Sequence, residues 1–132
     1  MTQARIFDTN VIINATGNYE QSPQNTPECA HQCLIQLMMT TMGKYRVVLD
    51  LTTTGSDILR EYRQNIIPGS IGELFLQWIL THQGDVEHVA YIQLKKIAQD
   101  HYSEFPDDLG LKTFDLRDHK WIALAIAYQI KH

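Results

Sequence analysis

Asp8 has the residue type and the setting of a metal ligand. It follows the short apolar run Ile6-Phe7, and further apolar residues begin at Val11. This pattern is typical of a buried strand that presents one carboxylate at its end, where functional groups of open α/β sheets collect. A carboxylate beside a core strand is costly to hold charged without a positive partner. Asp8 is therefore a candidate metal ligand, and the alternative is that it only caps the next helix.

Glu61 and Asp118 are two further acids in comparable settings. At about 100° per residue, Glu61 lies roughly 60° from Ile58, on the border of the apolar face of a predicted helix. It is either a surface residue or a side chain directed into a cleft. Asp115 and Asp118 precede the last predicted helix with the spacing of an N-cap and a first-turn acid. The helix dipole stabilises such charges by about 0.3–1 kcal/mol, so capping is the alternative role for both.

Three carboxylates predict a site for Mg²⁺ or Mn²⁺ rather than zinc, because these hard ions prefer oxygen ligands. Such ions activate water and neutralise a phosphodiester during hydrolysis. Cys29, His31 and Cys33 fall short of a tetrahedral zinc set, and the two thiols are predicted to pack in the core. A nucleotide-binding protein is disfavoured, because no glycine-rich strand-to-helix loop is present.

The composition predicts one globular domain over residues 1–132, with 44% hydrophobic and 20% charged residues. The sequence contains no apolar run near the roughly 20 residues that span a bilayer and no secretory signal, so we expect a cytoplasmic protein without a membrane partner. The net charge of −4 lacks the basic footprint of a general nucleic-acid binder. Any binding of nucleic acid would therefore depend on bound cations and a local basic patch.

Apolar periodicity and capping residues predict the elements that position these acids. Strands separated by helices indicate a parallel α/β sheet with helices on both faces. In the first half of the chain we expect a strand at 4–8, a helix or turn at 11–15, an exposed loop at 14–27, a helix from Pro27 to Gly43 capped by Thr26, and a strand at 45–50. Next we expect a helix capped by Ser56, a helix with a Ser70–Glu73 capping box, and a strand at 88–94. The rest of the chain predicts a helix or loop at 95–103, turns at 105–110, and a helix at 121–128 that is buried on all sides.

Three short motifs resemble the PIN domain, a nuclease family that includes the VapC-type toxins of bacterial toxin–antitoxin pairs. They are Asp8-Thr9-Asn10-Val11, Ile58-Leu59-Arg60-Glu61-Tyr62-Arg63, and Asp118-His119-Lys120-Trp121-Ile122-Ala123-Leu124-Ala125. The resemblance covers most of the chain. It implies an α/β three-layer sandwich, with a central parallel sheet between helices, and metal-dependent cleavage of RNA.

The resemblance also implies residue roles. The metal ligands would be Asp8, Glu61 and Asp118, with Asp115 as the alternative third acid. Asp118 is preferred because Ala123 and Ala125 follow it by five and seven residues, the phase that the family shows. Around the ligands we expect polar or substrate contacts from Thr9 and Asn10 and phosphate contacts from Arg117 and Lys120. For His119 we expect a surface position on the helix rather than a role as general base.

PIN domains usually continue past the last helix into another strand and a further aspartate, which this sequence lacks after His132. The expected consequences are a differently closed fold, completion by a partner chain, or reduced activity. An open sheet edge favours self-association, so a homodimer is expected. The alternative function is an interaction module that dimerises or binds a partner such as an antitoxin.

Overall fold

A computed structural model of the chain describes residues 3–16, 24–106 and 115–131. Within these ranges, none of the helices is long and apolar enough to cross a membrane. The elements are β1 Gln3–Arg5, α1 Thr9–Ala15, α2 Pro27–Thr41, β2 Tyr45–Leu51, α3 Asp57–Gln64, α4 Ile71–Thr81, β3 Val89–Gln93, β4 Lys96–Ala98, β5 His101–Tyr102, a 3₁₀ turn Leu116–Asp118 and α5 His119–Lys131.

The fold is mixed α/β, with a three-stranded sheet in the order β1-β2-β3, as the alternation of strands and helices predicts. β1 and β2 pair in parallel, with Gln3 opposite Tyr45 and Arg5 opposite Val47. The Val47 N–H donates to the His88 carbonyl at 2.8 Å, next to the start of β3. The predicted α/β class and parallel sheet are therefore confirmed.

Residues 95–103, expected to be a helix or loop, instead contain an antiparallel hairpin. β4 and β5 pair between Lys96 and Tyr102, and Asp100 in the connection has a φ of 59°. Aspartate tolerates this left-handed conformation better than most residues, because its short side chain bonds locally. Strands of two or three residues are too short to show an alternating pattern, so the sequence prediction was wrong here.

The chain forms two compact units. The first contains Met1–Val48 and Leu59–Ala90. In it α1, α2 and α4 pack against one another. The core of this unit is formed by aliphatic and aromatic side chains, among them Ile12, Leu37, Val47, Val48, Tyr62, Phe75 and Ile79.

The second unit contains Leu49–Ile58 and Tyr91–His132, and in it α5 packs on β5. The predicted last helix is present, but it is not buried on all sides. Within residues 121–128, Ala123, Leu124 and Ala127 are buried, whereas Trp121, Ile122 and Ile126 are partly exposed. The buried face of α5 therefore contains Ala123, Leu124 and Ala127.

Several helix ends match the predicted caps. Thr26 accepts the Cys29 N–H at 3.1 Å, and Gly43 stops α2 with a φ of 83°. Ser70 accepts the Glu73 N–H at 3.3 Å, which confirms that half of the capping box. These predictions succeed because a cap depends on side chains within a few residues.

One predicted boundary is different in the structure. β1 ends at Arg5 rather than at Asp8, and Asp8 is the N-cap of α1, which begins at Thr9. Ser56, which was predicted to cap α3, directly precedes the helix, and the Asp50 carboxylate accepts the N–H groups of Asp57 and Ile58 in its first turn. Parts of the predicted loop at 14–27 and turns at 105–110 lie outside the described residues.

Candidate functional site

Asp8 lies at the N-terminus of α1, where its Oδ1 accepts the Asn10 N–H at 3.2 Å. The capping alternative is therefore the observed local geometry. Capping does not remove the side chain from solvent, since Asp8 and Asn10 are both exposed. Asp8 is thus an oriented carboxylate at the surface, a few residues beyond the end of β1.

The Thr9 hydroxyl donates a hydrogen bond to Glu61 Oε2 across 52 residues of chain. Thr9 is buried and Glu61 is half-buried, as expected for a residue on the border of a buried face. Next to this pair, the Tyr62 hydroxyl donates to the Phe7 carbonyl. Two consecutive residues of α3 therefore bind two residues that flank Asp8, and the acids Asp8 and Glu61 share this neighbourhood in the first unit.

Asp115 and Asp118 differ in their contacts within the second unit. Asp115 accepts the Arg117 N–H at 3.0 Å and forms an ion pair with the Arg117 guanidinium at 2.9 Å. These hydrogen bonds, first that of the guanidinium, lower the pKa of Asp115 to about 2. Asp118 is an exposed residue of the 3₁₀ turn, because α5 itself begins at His119.

Lys120 is buried, and its Nζ donates to the Arg117 carbonyl. A buried ammonium bound to backbone is poorly placed for the predicted contact with phosphate. The predicted surface position of His119 is wrong. Its ring is buried and stacks parallel to Phe105, with centroids 3.7 Å apart. The stack borders a pocket of about 390 Å³ lined by Ile97, His101, Tyr102, Phe105, Pro106, Leu116 and His119.

The second unit contains a buried acidic network that was not predicted from the sequence. Asp50 has no exposed surface, and it accepts hydrogen bonds from Ser56 Oγ at 2.7 Å and from the backbone of Asp57 and Ile58. Asp57 in turn accepts the Tyr102 hydroxyl and pairs with Lys96 Nζ at 2.9 Å. Asp50 and Asp8 each follow a short apolar run, so the pattern that singled out Asp8 could also have identified Asp50.

Carboxylate oxygens of the Asp8 and Glu61 kind fit the ligand preference of Mg²⁺ and Mn²⁺. Over the described ranges, no three His, Cys, Asp or Glu side chains are grouped so that they could hold a metal ion. Cys29 and Cys33 are half-buried, and burial raises the pKa of Cys33 to about 11. A protonated thiol is a poor metal ligand, so these residues favour packing over zinc binding.

Comparisons of this chain with protein-family models, with curated proteins and with solved structures found no match.

Proposed function

We propose that this protein is a divalent-metal-dependent ribonuclease of the PIN type. The observation that carries the proposal is the hydrogen bond from Thr9 to Glu61, beside Asp8. It supports the proposal because it links Glu61 to the residue that follows Asp8, although 53 positions separate the two acids in the sequence. A dication bound between two carboxylates would offset their mutual repulsion.

In this proposal Asp8 and Glu61 hold Mg²⁺ or Mn²⁺, and Asp118 is the third ligand that the resemblance to PIN domains implies. The bound ion supplies an activated water and charge neutralisation for hydrolysis of an RNA phosphodiester. Asp118 is favoured over Asp115 as the third ligand, since Asp115 is already paired with Arg117 and caps its own turn. A role as the toxin of a toxin–antitoxin pair remains part of the proposal.

The surrounding residues orient the two carboxylates of the first unit. The Asn10 N–H fixes one oxygen of Asp8, and the Thr9 hydroxyl fixes one oxygen of Glu61. Hydrogen bonds donated to a ligand side chain fix the direction of its oxygen atoms, which prepares them to bind a metal. Such outer contacts commonly change metal affinity or activity by about 10- to 100-fold when removed.

The test is RNA cleavage with Mn²⁺ by wild type, Asp8→Asn and Glu61→Gln. We expect each substitution to lower the rate by at least about 100-fold, because a lost ligand removes several kcal/mol of stabilisation. Asparagine caps helices as well as aspartate does, so Asp8→Asn should keep the fold. Glu28→Gln, an exposed acid of α2, is the matched control. Equal cleavage by wild type and both site variants would refute the proposal.

The second candidate function is an interaction module that dimerises or binds a protein partner. An apolar groove of about 260 Å³ between α2 and α4 favours it. Met38 and Leu74 on its edge are 51% and 60% exposed, and exposed apolar patches commonly mark interaction sites. Titration calorimetry separates the two functions. Absence of Mn²⁺ binding at millimolar metal, together with a dimer that Leu74→Glu disrupts, would favour the module.

A further inference from the structure

Two histidines lie close together where α4 ends and the chain turns toward β3. The centroids of the His82 and His88 rings are 5.1 Å apart. Trp78 stacks on His82 at 4.5 Å and meets His88 edge-on at 5.8 Å. We call these two histidines the His82–His88 pair. The pair belongs to the first unit and contains neither Asp8 nor Glu61, so it is a separate feature from the proposed nuclease site.

The hydrogen bonds of the pair fix the tautomer of each ring. His82 Nδ1 lies 2.7 Å from the Trp78 carbonyl, and His88 Nδ1 lies 2.6 Å from Asp85 Oδ2. A carbonyl and an ionised carboxylate can only accept, so each Nδ1 must carry the hydrogen. In the neutral rings, both Nε2 atoms then keep their lone pairs.

This arrangement is the one that metal-binding histidines adopt. A ligating imidazole almost always donates its other N–H to a carboxylate or a backbone carbonyl, which fixes the ring and raises its basicity. Here His82 has the carbonyl partner and His88 has the carboxylate partner. We propose that the His82–His88 pair binds a divalent transition-metal ion of the copper, nickel and zinc class through its two Nε2 atoms. Water would complete the coordination, because no third protein ligand joins the pair within the described ranges.

Gly43 keeps the space beside His88 open. A Cβ built on Gly43 would lie 3.8 Å from His88 Nε2, and the φ of 83° strains any other residue there. A larger side chain at this position would therefore extend over the proposed ligand atom. The selectivity follows from the donors, since imidazole suits Cu²⁺, Ni²⁺ and Zn²⁺, whereas Mg²⁺ prefers oxygen.

The test uses Trp78 as a reporter, because bound Cu²⁺ or Ni²⁺ quenches the fluorescence of a ring stacked on a ligand. Trp78 and Trp121 are the two tryptophans of the chain, so Trp121→Phe isolates the Trp78 signal. In this background we expect saturable quenching by both ions, with tighter binding of Cu²⁺ than of Ni²⁺. Excess Mg²⁺, present throughout, occupies the oxygen ligands and should leave the quenching unchanged.

The substitutions His82→Gln and His88→Gln should each weaken quenching by at least about tenfold, and Asp85→Ala by about 10- to 100-fold. His31→Gln is the control, because His31 is an exposed histidine on α2. Quenching that survives both pair variants, or that falls equally in His31→Gln, would overturn the proposal. The proposal would also be overturned if the wild-type protein showed no quenching and the pair variants only unfolded at a lower urea concentration. The histidines would then only stabilise the end of α4.

Discussion

At the scale of single residues, Thr9 controls the geometry around Asp8 and Glu61. Its hydroxyl is the donor that holds the Glu61 carboxylate. Thr9→Val keeps the shape but removes this donor, and we expect Mn²⁺-dependent RNA cleavage to fall by about 10- to 100-fold. Thr9→Ser restores the hydroxyl and should recover most of the rate. Equal rates for the Val and Ser variants would show that the contact does not serve catalysis.

Asp50 is expected to contribute strongly to stability, since three donors converge on its buried carboxylate. Asp50→Ala leaves those donors without an acceptor and should lower the free energy of unfolding by about 3 kcal/mol. Asp50→Asn keeps one acceptor oxygen and should cost less. Urea unfolding measures both, with the exposed Glu28→Gln expected to stay within about 0.5 kcal/mol of wild type. An Asp50→Ala protein as stable as this control would contradict the role.

Tyr102 gives the protein a dependence of stability on alkaline pH. Burial, and then its hydrogen bond to Asp57, raise the pKa of its hydroxyl well above the ordinary range. In the unfolded chain this phenol ionises at about pH 10. The folded state binds the hydroxyl proton more tightly, so the contribution of Tyr102 to the stability of the fold is full below that pH and falls as the pH rises further. Urea unfolding between pH 8 and 11 should show the decline, and Tyr102→Phe should flatten it. If Tyr102→Phe showed an equal decline in stability, the decline would come from other titrating groups.

At the scale of elements, Gly72 sets how closely α4 approaches α1. A Cβ added at Gly72 would lie 2.9 Å from Ile12 Cγ2, and Ile12 is buried. Gly72→Ala should therefore cost about 1–3 kcal/mol of stability through overpacking. Gly84→Ala is the matched control, because a Cβ there meets nothing within 4 Å. Thermal unfolding compares the two, and equal melting temperatures would show that α1 and α4 adjust freely.

The elements also show which local patterns are informative. The predicted cap at Thr26 and the stop at Gly43 are present, because each depends on a few neighbouring residues. The first turn of α3 has an acceptor that was not predicted, the Asp50 carboxylate, which comes from the strand before it. A cap supplied from another element has no local signature. The β4–β5 hairpin was missed for a related reason, since its strands are too short for a period of two.

At the scale of the whole molecule, charge makes the proposed activity depend on metal. The net charge of −4 repels the phosphates of RNA. Arg117 is paired with Asp115 and Lys120 is buried, so neither offers a simple phosphate contact. We expect RNA to bind with Mn²⁺ and to dissociate at least about tenfold more readily in EDTA, because the dication compensates the acids. Filter binding of wild type to a short non-hydrolysable RNA analogue, with Mn²⁺ and with EDTA, measures this, and unchanged affinity in EDTA would argue against a metal-bridged complex.

The sequence by itself determined the α/β class, most helix positions and the border location of Glu61, because hydrophobic period and capping are local properties. It also identified Asp8 and Glu61 as candidates by their settings. Only the tertiary structure decided that Thr9 joins them, that Asp50 caps α3 and that His119 is buried against Phe105. Each of these depends on a contact between residues of different segments of the chain. Such contacts are set by packing of the whole fold, which leaves no periodic trace in the sequence.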